Sequence, residues 1–348
     1  MGLTPQTAPG VFSLLAGTEL TDGVWYPLGG FGKVRDGLCR AAQQCGVQVR
    51  TQAEVVGIDT AGSRVTGVRL ASGERLKANI VVCNRDLPAA YTLLGAVDSG
   101  GDGQAFGMAA STASAAGGRD GAAAAVPAAT AAYAQQRHDA LGRLQYSAGV
   151  IAYHWRLSRR LEGLSHHNVF LSTEYEAAWR RATGAGTLCQ RPNFYVHCPS
   201  RSDPTAAPAG CDSVMVLLPV ANLQELPRGA SSSIAYEGLV AAGRQRILEF
   251  FQASGLGTDL AAAITHEFVT TPPELQAAFG LRHGAAFGLG HGLDQLAMFR
   301  PGTKDSQLRG LYFAGASTRP GNGVPLCLMG AKLTANRVLS DLGMAVGG

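Results

Sequence analysis

The sequence predicts an α/β protein of two domains, and three observations carry that prediction. The chain has 348 residues, which at about 150 residues per domain suggests two. A nearly continuous apolar run, Ala78-Asn79-Ile80-Val81-Val82-Cys83-Asn84, fits a strand buried on both faces. Near the end, Gly310-Leu311-Tyr312-Phe313-Ala314-Gly315 reads as a short strand entering a glycine-rich loop, and apolar Leu326, Met329, Leu333 and Val338 then mark a helix.

The elements follow in order. After the glycine turn at Gly29, Gly30 and Gly32, apolar positions at Val34, Leu38, Ala41, Ala42 and Cys45 give one face of a helix, ended by Gly46. Val47 to Arg50 alternates as a short strand, and Glu54 to Asp59 is a second. The turn Ala61-Gly62-Ser63 leads into Val65, Val68 and Leu70. Between Ala105 and Ala132 half of the residues are Ala, interspersed with Gly and without an apolar stripe. That stretch has nothing to bury and is expected to be a flexible insertion. Strands are expected at Ala148 to Trp155, Phe194 to Cys198 and Val214 to Val220, with a turn at Pro199 to Pro204 and a helix over Tyr236 to Phe251. Pro325 suits the start of the closing helix and Arg337 its end.

Composition narrows the function. A hydrophobic content of 46% excludes a disordered chain for most of the length. The 29 basic and 25 acidic residues leave a net charge of +4, spread without a block of like charge, so nothing argues for nucleic acid. No apolar run approaches a membrane span, and Met1 to Gly10 lacks a charged region followed by an apolar one, so membrane contact is expected to be peripheral. The seven cysteines, without a C-x-x-C pair, read as buried small hydrophobes in a reducing compartment.

The strongest local signal for chemistry is the strand, glycine loop and helix at 312–339. Free N–H groups in a helix's first turn, with the helix dipole, stabilise an anion, and glycines admit a ligand close to the backbone. An ordinary strand-to-helix turn has the same local pattern. No G-x-G-x-x-G fingerprint occurs in the chain. Adjacent His166 and His167 are expected to point apart, so no metal is expected there, and a polar loop or substrate mouth is the reading that remains. His266, His283 and His291 lack the carboxylate partners of a triad. Asp203 reads as a turn residue, and Arg300-Pro301-Gly302 as a solvated loop more than as a clamp. Spacing supplies no catalytic residue.

Taken together, several segments resemble one family in its order: Gly23-Val24-Trp25-Tyr26-Pro27-Leu28-Gly29-Gly30-Phe31, the run Val81-Val82-Cys83-Asn84-Arg85-Asp86-Leu87, His166-His167-Asn168-Val169-Phe170-Leu171, Tyr195-Val196 with Pro199 to Pro204, and Leu311 to Leu339. They are similar to the bacterial and fungal type of phytoene desaturase, an FAD-dependent carotenoid desaturase of the amine-oxidase-like flavoprotein group. The resemblance covers nearly all of residues 10–343 except the Ala-rich insertion.

The resemblance implies a partial FAD-binding, Rossmann-like domain with an α+β substrate domain containing a mixed or antiparallel sheet. The implied segments are 1–94 and 285–348 for FAD, 95–139 for the insertion and 140–284 for the substrate. It places Val55, Asn84, Gly315, Ala316, Gly321, Gly323, Val324 and Pro325 against FAD. It implies an oxidoreductase of carotenoid biosynthesis in which hydride passes from an allylic carbon to flavin. It further implies a long isoprenoid substrate, a quinone or oxygen as acceptor, and peripheral membrane association, at a plastid membrane if the source is algal and at a cytoplasmic face otherwise. The family's dinucleotide fingerprint lies N-terminal to the matching segments, so the chain is expected to be a truncated, C-terminal portion of such an enzyme. A carotenoid isomerase or saturase, and a non-catalytic remnant or split-enzyme partner, are the alternatives.

Overall fold

The computed structural model describes residues 3–4, 6–95, 127–257 and 259–346. In chain order the first half holds α1 (Ser13–Asp22), α2 (Phe31–Gln44), β1 (Val55–Ala61), β2 (Arg64–Leu70), β3 (Arg75–Lys77), β4 (Val81–Cys83), α3 (Leu87–Ala90), α4 (Ala128–Gly142) and β5 (Gly149–Leu157). The second holds β6 (His167–Phe170), α5 (Tyr175–Trp179), β7 (Phe194–His197), β8 (Asp212–Val220), α6 (Ser232–Ser254), α7 (Leu260–Ala263), β9 (Ile264–Thr270), α8 (Pro272–Phe279), β10 (Leu311–Phe313) and α9 (Val324–Asp341).

The chain divides into two compact units, one of Met1–Thr51, Ala148–Leu275 and His283–Ala286, the other of Gln52–Ser147, Gln276–Arg282 and Phe287–Gly348. The sequence division grouped 1–51 with 52–94; here those first residues go with the middle of the chain.

The first unit is built on a five-stranded sheet in the order β6-β7-β8-β5-β9, antiparallel throughout. β8 buries alternate residues, so Val214, Val216, Leu218 and Val220 line one face. Against that face α6 packs Tyr236, Leu239, Ile247 and Phe251, all within one apolar cluster. The helix comes close because Gly243 lacks a side chain: a Cβ there would lie 2.5 Å from Leu218 and 2.6 Å from the Tyr153 hydroxyl. That hydroxyl donates to the Val240 carbonyl at 2.9 Å.

One buried charge anchors the turn after β7. Arg201 grips Asp212 through both nitrogens, at 2.7 and 2.9 Å, while Ser200 donates to the same carboxylate at 2.6 Å and the Leu161 N–H at 2.8 Å. Burial pushes the Asp212 carboxyl up, but Arg201, Ser200 and Leu161 outweigh it and leave it below its ordinary range. In the same unit α2 forms where the periodicity put it, with Gly46 at φ 79° after it, yet none of its residues is buried. Residues 47–50, expected as a strand, are not in one.

The second unit holds the antiparallel meander β1-β2-β3 and the parallel pair β4 and β10, in register from Leu311 opposite Val81 to Phe313 opposite Cys83. The run at 78–84 was expected to be buried on both faces. Only Cys83 of β4 is buried and Val82 is 48% exposed, in a sheet that has two strands among the described residues.

The insertion also differs from expectation. Residues 96–126 lie outside the described residues, but 128–142 form α4, whose Thr130, Tyr133, Ala134, His138 and Leu141 are buried. Tyr133 and Tyr91 both donate to the buried Asp305 carboxylate, at 3.0 and 2.7 Å. This polar docking adds to the burial of Tyr133, Ala134 and Leu141 in the unit's apolar cluster.

The seven cysteines are all free, but only Cys83 and Cys198 are buried and Cys45 is exposed. No helix among the described residues is long and apolar enough to cross a membrane.

Candidate cofactor site

The site forms where the parallel strands β4 and β10 end. Open parallel sheets bind ligands beyond the carboxyl ends of their strands, where the chain turns toward a helix. Asn84 ends β4, and its side-chain amide donates to the Ala314 carbonyl at 2.8 Å, which ties the two strand ends together. Gly315 comes next at φ 136°, and a Cβ on it would sit 3.3 Å from the Asn84 amide nitrogen. The position needs glycine for both reasons.

The loop then runs through Ala316 to Gly323 and opens α9. Gly321 is at φ 144° and Gly323 at φ 96°, and a Cβ on Gly323 would meet no atom within 4 Å. No side chain caps the N-terminus of α9, and Pro325 in its first turn has no N–H to satisfy. Open space, uncapped donors and the dipole make this end fit an anionic ligand that lies close to the backbone. Opposite Gly321 stands His291, held near 4 by burial and by Arg300 and therefore neutral at pH 7.

Arg300 holds the loop in shape. It is buried, and its guanidinium donates to five carbonyls, those of Leu289, Gly290, Gln295, Ala316 and Thr318, at 2.6 to 3.2 Å. Burial lowers its pKa to about 10, so it stays charged at neutral pH. The sequence reading favoured a solvated loop at Arg300; the structure makes it the clamp instead. A single arginine next to Pro-Gly gives no sign of the carbonyls that converge on it from distant positions.

Within the loop, Ser317 is hydrogen-bonded through its hydroxyl to half-buried Asp86 and accepts from the Leu289 N–H at 3.2 Å. Burial raises the Asp86 pKa against the opposing pull of Ser317 and the Arg282 N–H. Gly288 has no room for a side chain, since its Cβ would lie 2.5 Å from the Ser317 hydroxyl.

Of the residues singled out in the sequence, Asn84 and Gly315 are thus in contact, and Ala316, Gly321, Gly323, Val324 and Pro325 share one loop and helix start. Val55 stands in a different sheet, paired with Leu70. Asp203 is a turn residue that accepts from Thr205, and it also accepts the Gly29 N–H at 2.6 Å.

The expectation about the adjacent histidines fails. His166 lies just before β6, where strand alternation does not govern its direction, and its ring centroid is 4.4 Å from that of His167. His197, opposite His167 on β7, completes a trio. Burial, then His166 and His167, hold His197 near 4.

Residues 5–98 match the family of flavin containing amine oxidoreductases. The chain is 34% identical to a phytoene desaturase of Fusarium fujikuroi, over 99% of this chain and 56% of that protein. It is 35% identical to a phytoene desaturase of Neurospora crassa, over 98% and 52%. A zeta-carotene-forming phytoene desaturase of Myxococcus xanthus is 31% identical over 98% and 57%. The chain therefore spans a little over half the length of these relatives.

Among solved structures, an oxidoreductase from Methanosarcina mazei superposes with a TM-score of 0.58 at 18% identity, covering 96% of this chain and 61% of that one. Reduced UDP-galactopyranose mutase does so with 0.50 at 11%, covering 92% and 54%. These two similarities concern the fold, which is of the flavin amine-oxidase type and includes antiparallel sheets. The cofactor these relationships support is FAD. Along 98–99% of its length the chain is similar to fungal and bacterial phytoene desaturases alike.

Proposed function

We propose that this chain carries the C-terminal cofactor segment and the substrate sheet of an FAD-dependent carotenoid desaturase acting on phytoene or a similar long polyene. The observation that supports this most is the ending of β4 and β10 at a glycine-rich, uncapped helix start, in a chain similar to phytoene desaturases. FAD bound there would supply the hydride acceptor for an allylic C–H of the substrate, a proton leaving the neighbouring carbon.

The chain's own residues then have distinct tasks. Gly321, Gly323, Val324 and Pro325 admit and face the cofactor's anionic part, Asn84, Gly315 and Ala316 shape the strand ends beside it, and Val55 borders its adenine side. Arg300 keeps the loop carbonyls turned away from the ligand by engaging them. No acid–base pair is required of the protein; orientation and exclusion of water are its contribution.

The substrate is a long apolar isoprenoid, drawn from a membrane surface to which the protein binds peripherally. Exposed Trp25, Leu28 and Phe31, at 86, 69 and 56%, support that reading. A quinone or oxygen takes the electrons, and the membrane is a plastid's if the source is algal and a cytoplasmic face otherwise. A second reading, a non-catalytic or split-enzyme partner, is favoured by one observation: exposed Val82 on a two-stranded parallel sheet, a form that elsewhere is covered.

The test is titration of the purified chain with FAD, followed by incubation with phytoene in liposomes and an added quinone, with products separated by chromatography. Retained flavin and new conjugated double bonds are expected, both abolished by Gly323→Val. Conversion of cis-lycopene without desaturation assigns an isomerase. No flavin retention at saturating FAD and no turnover assign the second reading to the chain.

A further inference from the structure

One end of the five-stranded sheet gathers three imidazoles that the flavin site does not use. His167 on β6 is directly opposite His197 on β7, and their rings stack at 5.4 Å and 16°. The His166 ring closes over both, its Nε2 2.8 Å from the Nε2 of His197. One nitrogen from each ring belongs to a set whose members all lie within 4.8 Å of one another.

The outer nitrogens are already engaged. His166 Nδ1 is 2.8 Å from the Ser202 hydroxyl, and His167 Nδ1 is 2.5 Å from the Tyr195 hydroxyl. Histidine ligands to metals characteristically hand their second ring N–H to an oxygen, which fixes ring and tautomer. With Nδ1–H donating outward, Nε2 is left as the electron-pair donor on both rings. Tyr26 covers the cluster from one side, its ring 4.6 Å from that of His166 and 5.7 Å from that of His197. Three neutral nitrogens, without a thiolate or carboxylate, suit a borderline divalent ion and not a hard one.

We propose that His166, His167 and His197 form a three-histidine site for a borderline divalent metal ion, with zinc the expected occupant and water its fourth ligand. Zinc–nitrogen bonds of about 2.0–2.1 Å in a tetrahedron put ligand nitrogens about 3.4 Å apart. The 2.8 Å contact between His166 and His197 therefore opens slightly and the wider separations close. His167 is exposed and can make that movement. The ion pins β6 to β7 and to the turn carrying Ser202, so it clips the sheet edge without entering any redox step.

The inference does not depend on the flavin reading and is tested apart from it. Metal-free, untagged full-length chain is titrated with zinc by calorimetry and with cobalt by visible absorption. One ion per chain is expected, with the visible bands of tetrahedral cobalt and no thiolate charge-transfer band. His167→Gln and His197→Gln should each weaken zinc binding at least tenfold, and Tyr195→Phe, which removes only an outer partner, about tenfold. His266→Gln, an exposed histidine on β9, should leave affinity unchanged. Absence of stoichiometric binding, unchanged affinity in His167→Gln, or a thiolate band would each overturn the proposal. Because His167 is exposed, its variant should keep the parent's circular dichroism, so lost binding there reports the ligand and not the fold.

Discussion

In the five-stranded sheet, α6 lies so close to β5 and β8 that a single methyl on Gly243 would collide with Leu218 and Tyr153. In the parallel pair, α9 is held to β10 by a hydrogen bond from the Thr334 hydroxyl to the Phe313 carbonyl at 2.9 Å, while Leu328, Met329 and Leu333 stay about half exposed. The first region is made by burying apolar surface. The second also buries Cys83, Leu311 and Phe313 in an apolar cluster, but its helix and loop are held by polar side chains that reach backbone carbonyls, with apolar surface left over. A sheet with a helix against one face can close on itself through apolar packing, whereas a glycine-rich loop that leaves open space before an uncapped helix has to be fixed from behind.

The largest expected effect tests the apolar side of that contrast. Phe251 is fully buried, among Phe170, Phe194 and Phe250 with ring centroids at 5.7, 6.2 and 6.2 Å. Phe251→Ala should cost about 3–5 kcal/mol in denaturant unfolding. A loss below about 1 kcal/mol would mean that the cluster is not the source of the sheet's stability.

A smaller and more local effect is expected at the clamp. Lysine has three N–H donors where Arg300 uses its guanidinium on five carbonyls, so Arg300→Lys leaves at least two without their donor and should cost about 2–4 kcal/mol. Amide hydrogen exchange should then speed up first at residues 315–319 and only later in β5 and β8. Uniform acceleration throughout would erase the distinction between the two regions.

The same contrast explains what the sequence revealed. The strands β5, β7 and β8 and the helix α6 are stabilised by apolar burial, and apolar periodicity is visible along a chain. Helix α4 escaped notice because its buried stripe is Thr130, Tyr133, Ala134, His138 and Leu141, three of them bearing polar groups, and Tyr133 and His138 dock on Asp305 and Arg282 far along the chain. Arg300 escaped for a similar reason, its partners being carbonyls, which any residue supplies. The trio at His166, His167 and His197 needed the cross-strand register of β6 and β7, and β6 itself is too short and polar to stand out. The glycine loop was legible because positive φ demands glycine by name.

The least effect is expected at the far end of α9, where polar contacts are plentiful but solvated. The Lys304 ammonium and the Tyr312 hydroxyl hold Asp341, at 2.8 and 2.7 Å, and Arg337 adds a contact at 3.3 Å one turn earlier. Lys304 first, then Tyr312, depress the Asp341 carboxyl to about 2. A carboxylate so depressed contributes stability above its unfolded pKa, about 3.9, and loses it as pH falls through the folded value. Arg337 is 55% exposed, and its removal leaves the two stronger partners in place. Arg337→Ala should therefore lower Tm by about 1 °C or less at pH 7, and the difference should vanish toward pH 2. A drop of several degrees would place this outer contact among the clamps, and the boundary between the buried polar network and its solvated fringe would then have to be redrawn at Asp341.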